Sequence, residues 1–143
     1  MNKFILLAFY VLLLNAAPII TPEVKVLLTK AKSNVESISA KEANNAMLQR
    51  NVVFVDVRNP NEWKNGTIKT NNLVKLSRGL LEIKYPKLIL SKYKKNDEFI
   101  VYCAIEPRSI FASNRLKELG FTNVKYLKKG FRAWNEAGFP TTK

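Results

Sequence analysis

Apolar positions along the chain alternate between short continuous runs and longer stretches with helical spacing. Val52, Val53, Phe54 and Val55 make a run of β-branched and aromatic residues ending at Asp56, which predicts a strand buried on both faces. A second such run, Phe99 to Tyr102, delivers Cys103 at its carboxyl end, and Asn123 to Leu127 predicts a third. Shorter strands are expected over Val35 to Ile38 and near Leu73 to Leu76, while the rest of 67–77 has no decisive period.

Helical spacing fills the intervals. Glu23 to Lys32 sets Val24, Leu27, Leu28 and Ala31 at helical intervals, a leading helix that packs on the rest. Ser39 followed three residues later by Glu42 is a capping box, and it opens a helix carrying Ala43, Met47 and Leu48. Pro60 starts a short helical turn with Glu62 and Trp63, stopped by Asn65-Gly66. Gly79 to Leu90 reads as helix interrupted by Pro86, and Arg108 to Leu119 as helix with Gly120 as its C-cap. Phe131, Trp134 and Ala137 share one face of a last helix closed by Gly138 and Pro140. Repeated strand–helix alternation predicts an α/β fold, a central parallel sheet with helices on both faces.

The amino terminus has a different pattern. One positive charge at Lys3 precedes eleven apolar residues, Phe4 to Leu14, and Asn15-Ala16-Ala17-Pro18 offers small residues for a peptidase. Residues 1–17 are therefore expected to be a signal peptide or, with the run continued to Ile20, an uncleaved membrane anchor. Export, to a periplasm, is the expected localisation, with attachment to the membrane only if that segment stays uncleaved. A leading helix over 21–36 and one domain over 37–143 complete the organisation.

Composition narrows the chemistry. The 143 residues suffice for one ordinary domain. No histidine is present, which excludes Ser-His-Asp and Cys-His catalysis and every zinc site with a His ligand. Cys103 is the only cysteine, which excludes an intrachain disulfide, a Cys-x-x-Cys redox pair and a thiolate metal cluster. The five glycines form neither a dinucleotide fingerprint nor a P-loop, so no cofactor and no metal are expected. The charge of +13 is carried mostly by scattered lysines; this predicts a solvated surface that attracts small anions, and no nucleic-acid partner.

Ligands of parallel sheets gather beyond the carboxyl ends of the strands, where Asp56-Val57-Arg58 and Cys103 fall. After Cys103 the chain runs Ala104-Ile105-Glu106-Pro107-Arg108-Ser109 into a helix. A thiolate at a helix N-terminus is stabilised by the dipole and the free N–H groups, and Arg108 adds a cation. A reachable, ionised Cys103 is the expected nucleophile. The alternative is a small buried core cysteine.

With Val55-Asp56-Val57-Arg58, Glu62-Trp63, Gly66-Thr67-Ile68, Val101-Tyr102-Cys103, Arg108-Ser109 and Gly130-Phe131-Arg132-Ala133-Trp134 in this order, the chain resembles the rhodanese family. The resemblance runs from Ser37 to Pro140. It implies a rhodanese-like domain over 37–143 whose Cys103 becomes a persulfide. Sulfane sulfur would pass from thiosulfate or another small anionic donor to a thiol or protein acceptor. Ala104 to Ser109 would cradle the anion, Arg108 would fix the loop or hold the anion, and Asp56 and Arg58 would brace the site or form a purely structural ion pair. Ser109 is expected to be a first-turn helix residue. Four residues separate Cys103 from Arg108, against five in related phosphatases and arsenate reductases, which favours sulfur over phosphate. Family loops often have Gly where Glu106 stands; Glu106 is expected to strain the turn and disfavour an anion, so that Glu106→Gly raises activity. Pro107 lacks an N–H donor. These departures motivate the alternative of a binding or accessory module that has lost turnover.

Overall fold

The computed structural model describes residues 20–143, so the signal or anchor expected over 1–17 lies outside the described residues. The elements follow the chain as α1 (Pro22–Ser33), β1 (Glu36–Ile38), α2 (Ala40–Gln49), β2 (Val52–Asp56), α3 (Pro60–Trp63), β3 (Thr67–Ile68) and β4 (Leu73–Lys75), then α4 (Leu81–Leu88), β5 (Glu98–Tyr102), α5 (Pro107–Glu118), β6 (Val124–Leu127), α6 (Gly130–Glu136) and β7 (Thr141–Thr142). Five strands join in the order β1-β6-β5-β2-β4. Every neighbouring pair is parallel, with Phe54 opposite Ile100 and Val101 opposite Tyr126. Among the described residues no helix is long and apolar enough to cross a membrane.

The period of two along each strand sorts the core into two layers. Val53, Val55, Phe99 and Val101 face α5, where Ala112 and Leu116 meet them. Val52, Phe54, Ile100 and Tyr102 face the opposite side and pack on Ala43 and Ala46 of α2 and on Phe131 and Trp134 of α6. Both faces of the sheet are covered, which is why β2 is buried at every position and reads as a continuous apolar run. The expected α/β architecture is the observed one.

Several local expectations change. The helix foreseen over 21–36 ends at Ser33, and Glu36 already belongs to β1, paired with Lys125 of β6. On α1 only Ala31 is buried, against Ile110 and Tyr126, with Leu28 half-buried beside it; Val24 and Leu27 are exposed. On α2 the buried residues are the alanines, and Leu48 is exposed. Pro86 does not interrupt α4, which runs on to Leu88: its lost backbone bond falls in the last turn, where Tyr85 O accepts from Ile89 N at 2.8 Å, and buried Leu81 and Ile89 anchor both ends. Ala137 is an exposed C-cap of α6 rather than part of its buried face. The chain then returns to pair β7 with β3, an antiparallel ribbon whose first strand lies in the segment that showed no period.

Phe54 touches both aromatic neighbours of its layer edge-on, with ring centroids 6.5 Å from Tyr102 and 5.7 Å from Trp134. Phe54→Ala should therefore lower stability by about 3–5 kcal/mol, read as a fall in the urea midpoint without a change in slope.

Candidate active site

β5 ends at Tyr102, and the next four residues form a loop that passes into α5 at Pro107. The start of α6 holds this loop. Cys103 O accepts from Phe131 N at 2.8 Å, and Ala104 O accepts from Arg132 N at 3.1 Å. Between them Gly130 has φ +60°, and a Cβ there would lie 2.5 Å from Cys103 O and 2.8 Å from the carbonyl of Ala104. Sequence reading found Gly130 only as part of a family pattern; its close approach to the cysteine loop is a long-range contact that spacing does not show.

Cys103 is fully buried, so the expected open thiol is not observed. The reason is its register: it continues the face of β5 that carries Phe99 and Val101 and so turns inward. The sulfur is not sealed in hydrocarbon alone, however. Sγ donates to Ser109 Oγ at 3.7 Å, and the Ser109 hydroxyl donates to Glu106 O at 2.7 Å. Ser109 is the first-turn helix residue that was expected, and it is also the thiol's hydrogen-bond partner. Above the sulfur, Ala104, Ile105, Glu106, Pro107 and Arg108 are half-buried. Glu106 O also accepts from the N–H groups of Ser109 and Ile110 and so closes the first turn of α5. The N–H groups of Ala104, Ile105, Glu106 and Arg108 meet no acceptor among the described residues. A run of free N–H groups before a helix start is the ordinary chemistry of an anion cradle. Pro107 is the one gap in it.

Arg108 turns to a carboxylate of a neighbouring helix. Its guanidinium grips Glu62 of α3 with two bonds, Nη1 to Oε2 at 2.7 Å and Nη2 to Oε1 at 2.8 Å, and this fixes the helix start against the loop after β2. The Arg108 pKa is raised, chiefly by that bond, with a smaller contribution from the neighbouring Cys103 sulfur. Glu62 in turn accepts from Asn59 N, and the Arg108 bond, foremost, holds its carboxyl at about 2. The family motif contained Glu62, but nothing in its spacing announced the pairing with Arg108.

Asp56 and Arg58 pair with each other and make no hydrogen bond to the sulfur. Both are buried, and Arg58 Nη2 bonds Asp56 Oδ2 at 2.7 Å and Gly66 O at 2.8 Å. The guanidinium lies 4.2 Å from the ring centroid of Phe131 and 5.6 Å from that of Tyr102. Burial, and then the Asp56 carboxylate, push the Tyr102 phenol well above its usual range, so it stays protonated while it accepts from Ile68 N.

Glu106 departs furthest from expectation. Its φ of 176° is extended backbone that any residue adopts, so no glycine is required and the foreseen strain is absent. Its carboxylate has two neighbours: Oε1 lies 3.0 Å from Lys32 Nζ, an ion pair without hydrogen-bond geometry, and Oε2 accepts from Lys129 N at 3.3 Å. Lys32 was not among the residues that the sequence singled out.

A family model described as the Rhodanese-like domain matches residues 39–137. A sulfurtransferase of Allochromatium vinosum is 30% identical over 105 residues, which span 73% of this chain and 88% of that protein. The polysulfide-sulfur transferase homodimer of Wolinella succinogenes superposes with a TM-score of 0.69 at 31% identity, covering 82% of this chain and 85% of that one. Other curated relatives are longer. The chain spans about half of the senescence-associated protein DIN1 of Raphanus sativus (54%), to which it is 28% identical over 99 residues, 66% of its own length.

Two measurements probe this geometry. Gly130→Ala should destabilise the fold by about 1–3 kcal/mol in urea, because the new methyl group meets backbone on a left-handed residue. Glu62 has a pKa lowered from 4.5 to about 2, so its contribution to stability is complete above pH 4.5 and is lost as the pH falls toward 2. Glu62→Gln should flatten the dependence of the urea midpoint on pH within that window and leave its shape above it unchanged.

Proposed function

Because the chain belongs to the rhodanese-like family, we propose that it is a sulfurtransferase that carries sulfane sulfur on Cys103. The observation that supports this most is the position of Cys103 at the head of a segment in which the N–H groups of Ala104, Ile105, Glu106 and Arg108 have no acceptor among the described residues, at the start of a helix of 12 residues. In the first half-reaction the Cys103 thiol loses its proton to solvent, and the thiolate attacks the outer sulfur of thiosulfate. The donor's S–S bond breaks, sulfite departs with the electron pair, and a Cys103 persulfide anion remains. The free N–H groups of Ala104, Ile105, Glu106 and Arg108 and the α5 dipole stabilise its terminal sulfur. In the second half-reaction a thiolate or other nucleophile attacks that outer sulfur, and Cys103 leaves as the thiolate. Arg108, tied to Glu62, holds the helix start still through both steps.

The full burial of Cys103 favours a second reading, a rhodanese-like accessory module that binds a partner and turns nothing over. Intact-mass measurement after incubation with thiosulfate separates the two. The sulfurtransferase gains one sulfur atom per chain, loses it on addition of a thiol, and gains none as Cys103→Ser. Wild-type protein that gains no sulfur from thiosulfate or from an organic persulfide leaves the accessory module as the reading.

A further inference from the structure

We propose that Lys32, on the helix that precedes the family-matched residues, is a positioning residue of the sulfur-carrying loop, acting through Glu106. The inference rests on the sulfurtransferase reading for its purpose, but not for its geometry. Glu106 is the residue on which the loop turns. Its carbonyl gathers three donors of the first turn of α5: the N–H groups of Ser109 and Ile110 and the Ser109 hydroxyl that partners the Cys103 thiol. Its carboxylate reaches outward to two other elements, Lys32 Nζ of α1 at 3.0 Å and Lys129 N at the start of α6 at 3.3 Å. One side chain thus joins three helices above the sulfur.

The charge balance gives Lys32 its role. Around Cys103 the acidic groups Asp56 and Glu62 are each matched by an arginine, Arg58 and Arg108. Glu106 is the remaining carboxylate of the loop itself, and an unmatched negative charge there would oppose both a thiolate and a persulfide. Lys32 supplies the match, and its ammonium also sits 6.0 Å from the Tyr126 ring centroid. The Lys129 and Arg132 side chains at the start of α6 stand exposed. The family model begins at residue 39, after α1, so the counter-charge stands on a helix outside the family-matched residues. That helix is held in place by more than the pair: Ala31 and Leu28 pack on Ile110 and Tyr126, and Asn34 Nδ2 donates to Asn114 Oδ1 at 3.1 Å. The lysine therefore sits on a docked element rather than a loose one.

The test uses the full chain and two readouts: the rate of sulfur uptake from thiosulfate by intact mass, and the pH midpoint of Cys103 alkylation by iodoacetamide. The Lys32 side chain is 52% exposed, so the expected effect is modest, about two- to fivefold. Lys32→Met should slow uptake by that factor and move the alkylation midpoint upward by about half a pH unit. Lys32→Arg should restore both. In Lys32→Met with Glu106→Gln the midpoint should return toward wild type, because no unmatched carboxylate remains, although uptake stays slow with the loop tie cut. Glu106→Gly alone should slow uptake rather than raise it. An unchanged midpoint and rate in Lys32→Met, or a midpoint that the double variant fails to restore, overturns the proposal. Wild-type protein that takes up no sulfur from thiosulfate or from an organic persulfide refutes the sulfurtransferase reading instead, and the alkylation midpoints still decide the role of Lys32.

Discussion

The approach of α6 to the cysteine loop is the constraint on which the site depends. Two backbone hydrogen bonds, from Phe131 N and Arg132 N, hold the carbonyls of Cys103 and Ala104, and they form only because Gly130 leaves no Cβ between the two segments. With those carbonyls turned toward α6, the N–H groups of Ala104 and Ile105, which share their peptide units, point away from α6 and meet no acceptor among the described residues. A peptide unit has its donor and acceptor on opposite sides, so fixing one fixes the other. The free N–H groups are thus a by-product of how a helix docks, not of any side chain within the loop. This explains how the loop tolerates Ala104 and Ile105, which bring no charge of their own.

Charge around the sulfur is organised in pairs at different depths. Asp56 with Arg58 is buried and sandwiched against Phe131 and Tyr102, where a lone partner would be costly. Glu62 with Arg108 is half-exposed, and in the Glu106–Lys32 pair the carboxylate is similarly covered while the lysine is the most exposed cation of the three. The innermost pair ties β2 to the turn at Gly66, the next ties α3 to α5, and the outermost ties α5 to α1. Each joins elements that the sheet alone would leave to move separately.

Much of this was legible in the sequence, for identifiable reasons. Strands covered on both sides must be continuously apolar, so β2 and β5 announced themselves, and β5 announced Cys103 with them. The capping box at Ser39 and Glu42 is a local signal and is present as read. Legibility failed where the determinant was distant or small. β3 and β7 have two residues each and are rich in threonine, too short for any period to register. The apolar stripe of α1 was real, yet only its last turns meet α5, so Val24 and Leu27 stay in water. Lys32 and Glu106 lie far apart in the chain, and a lysine among 18 gives no sign of which carboxylate it will meet. The burial of the thiol was the alternative reading rather than the expected one, because the residue after a strand can turn to either side.

Both outermost strands of the sheet, β1 and β4, are only three residues long. Each carries a charged residue, Glu36 at the start of the first and Lys75 at the end of the second. A neighbouring molecule that tried to extend the ladder would find about 10 Å of unpaired backbone and a charge within it. The rims of this sheet are poor templates for growth, and a basic chain with so apolar an interior is thereby kept from stacking strand upon strand into aggregates.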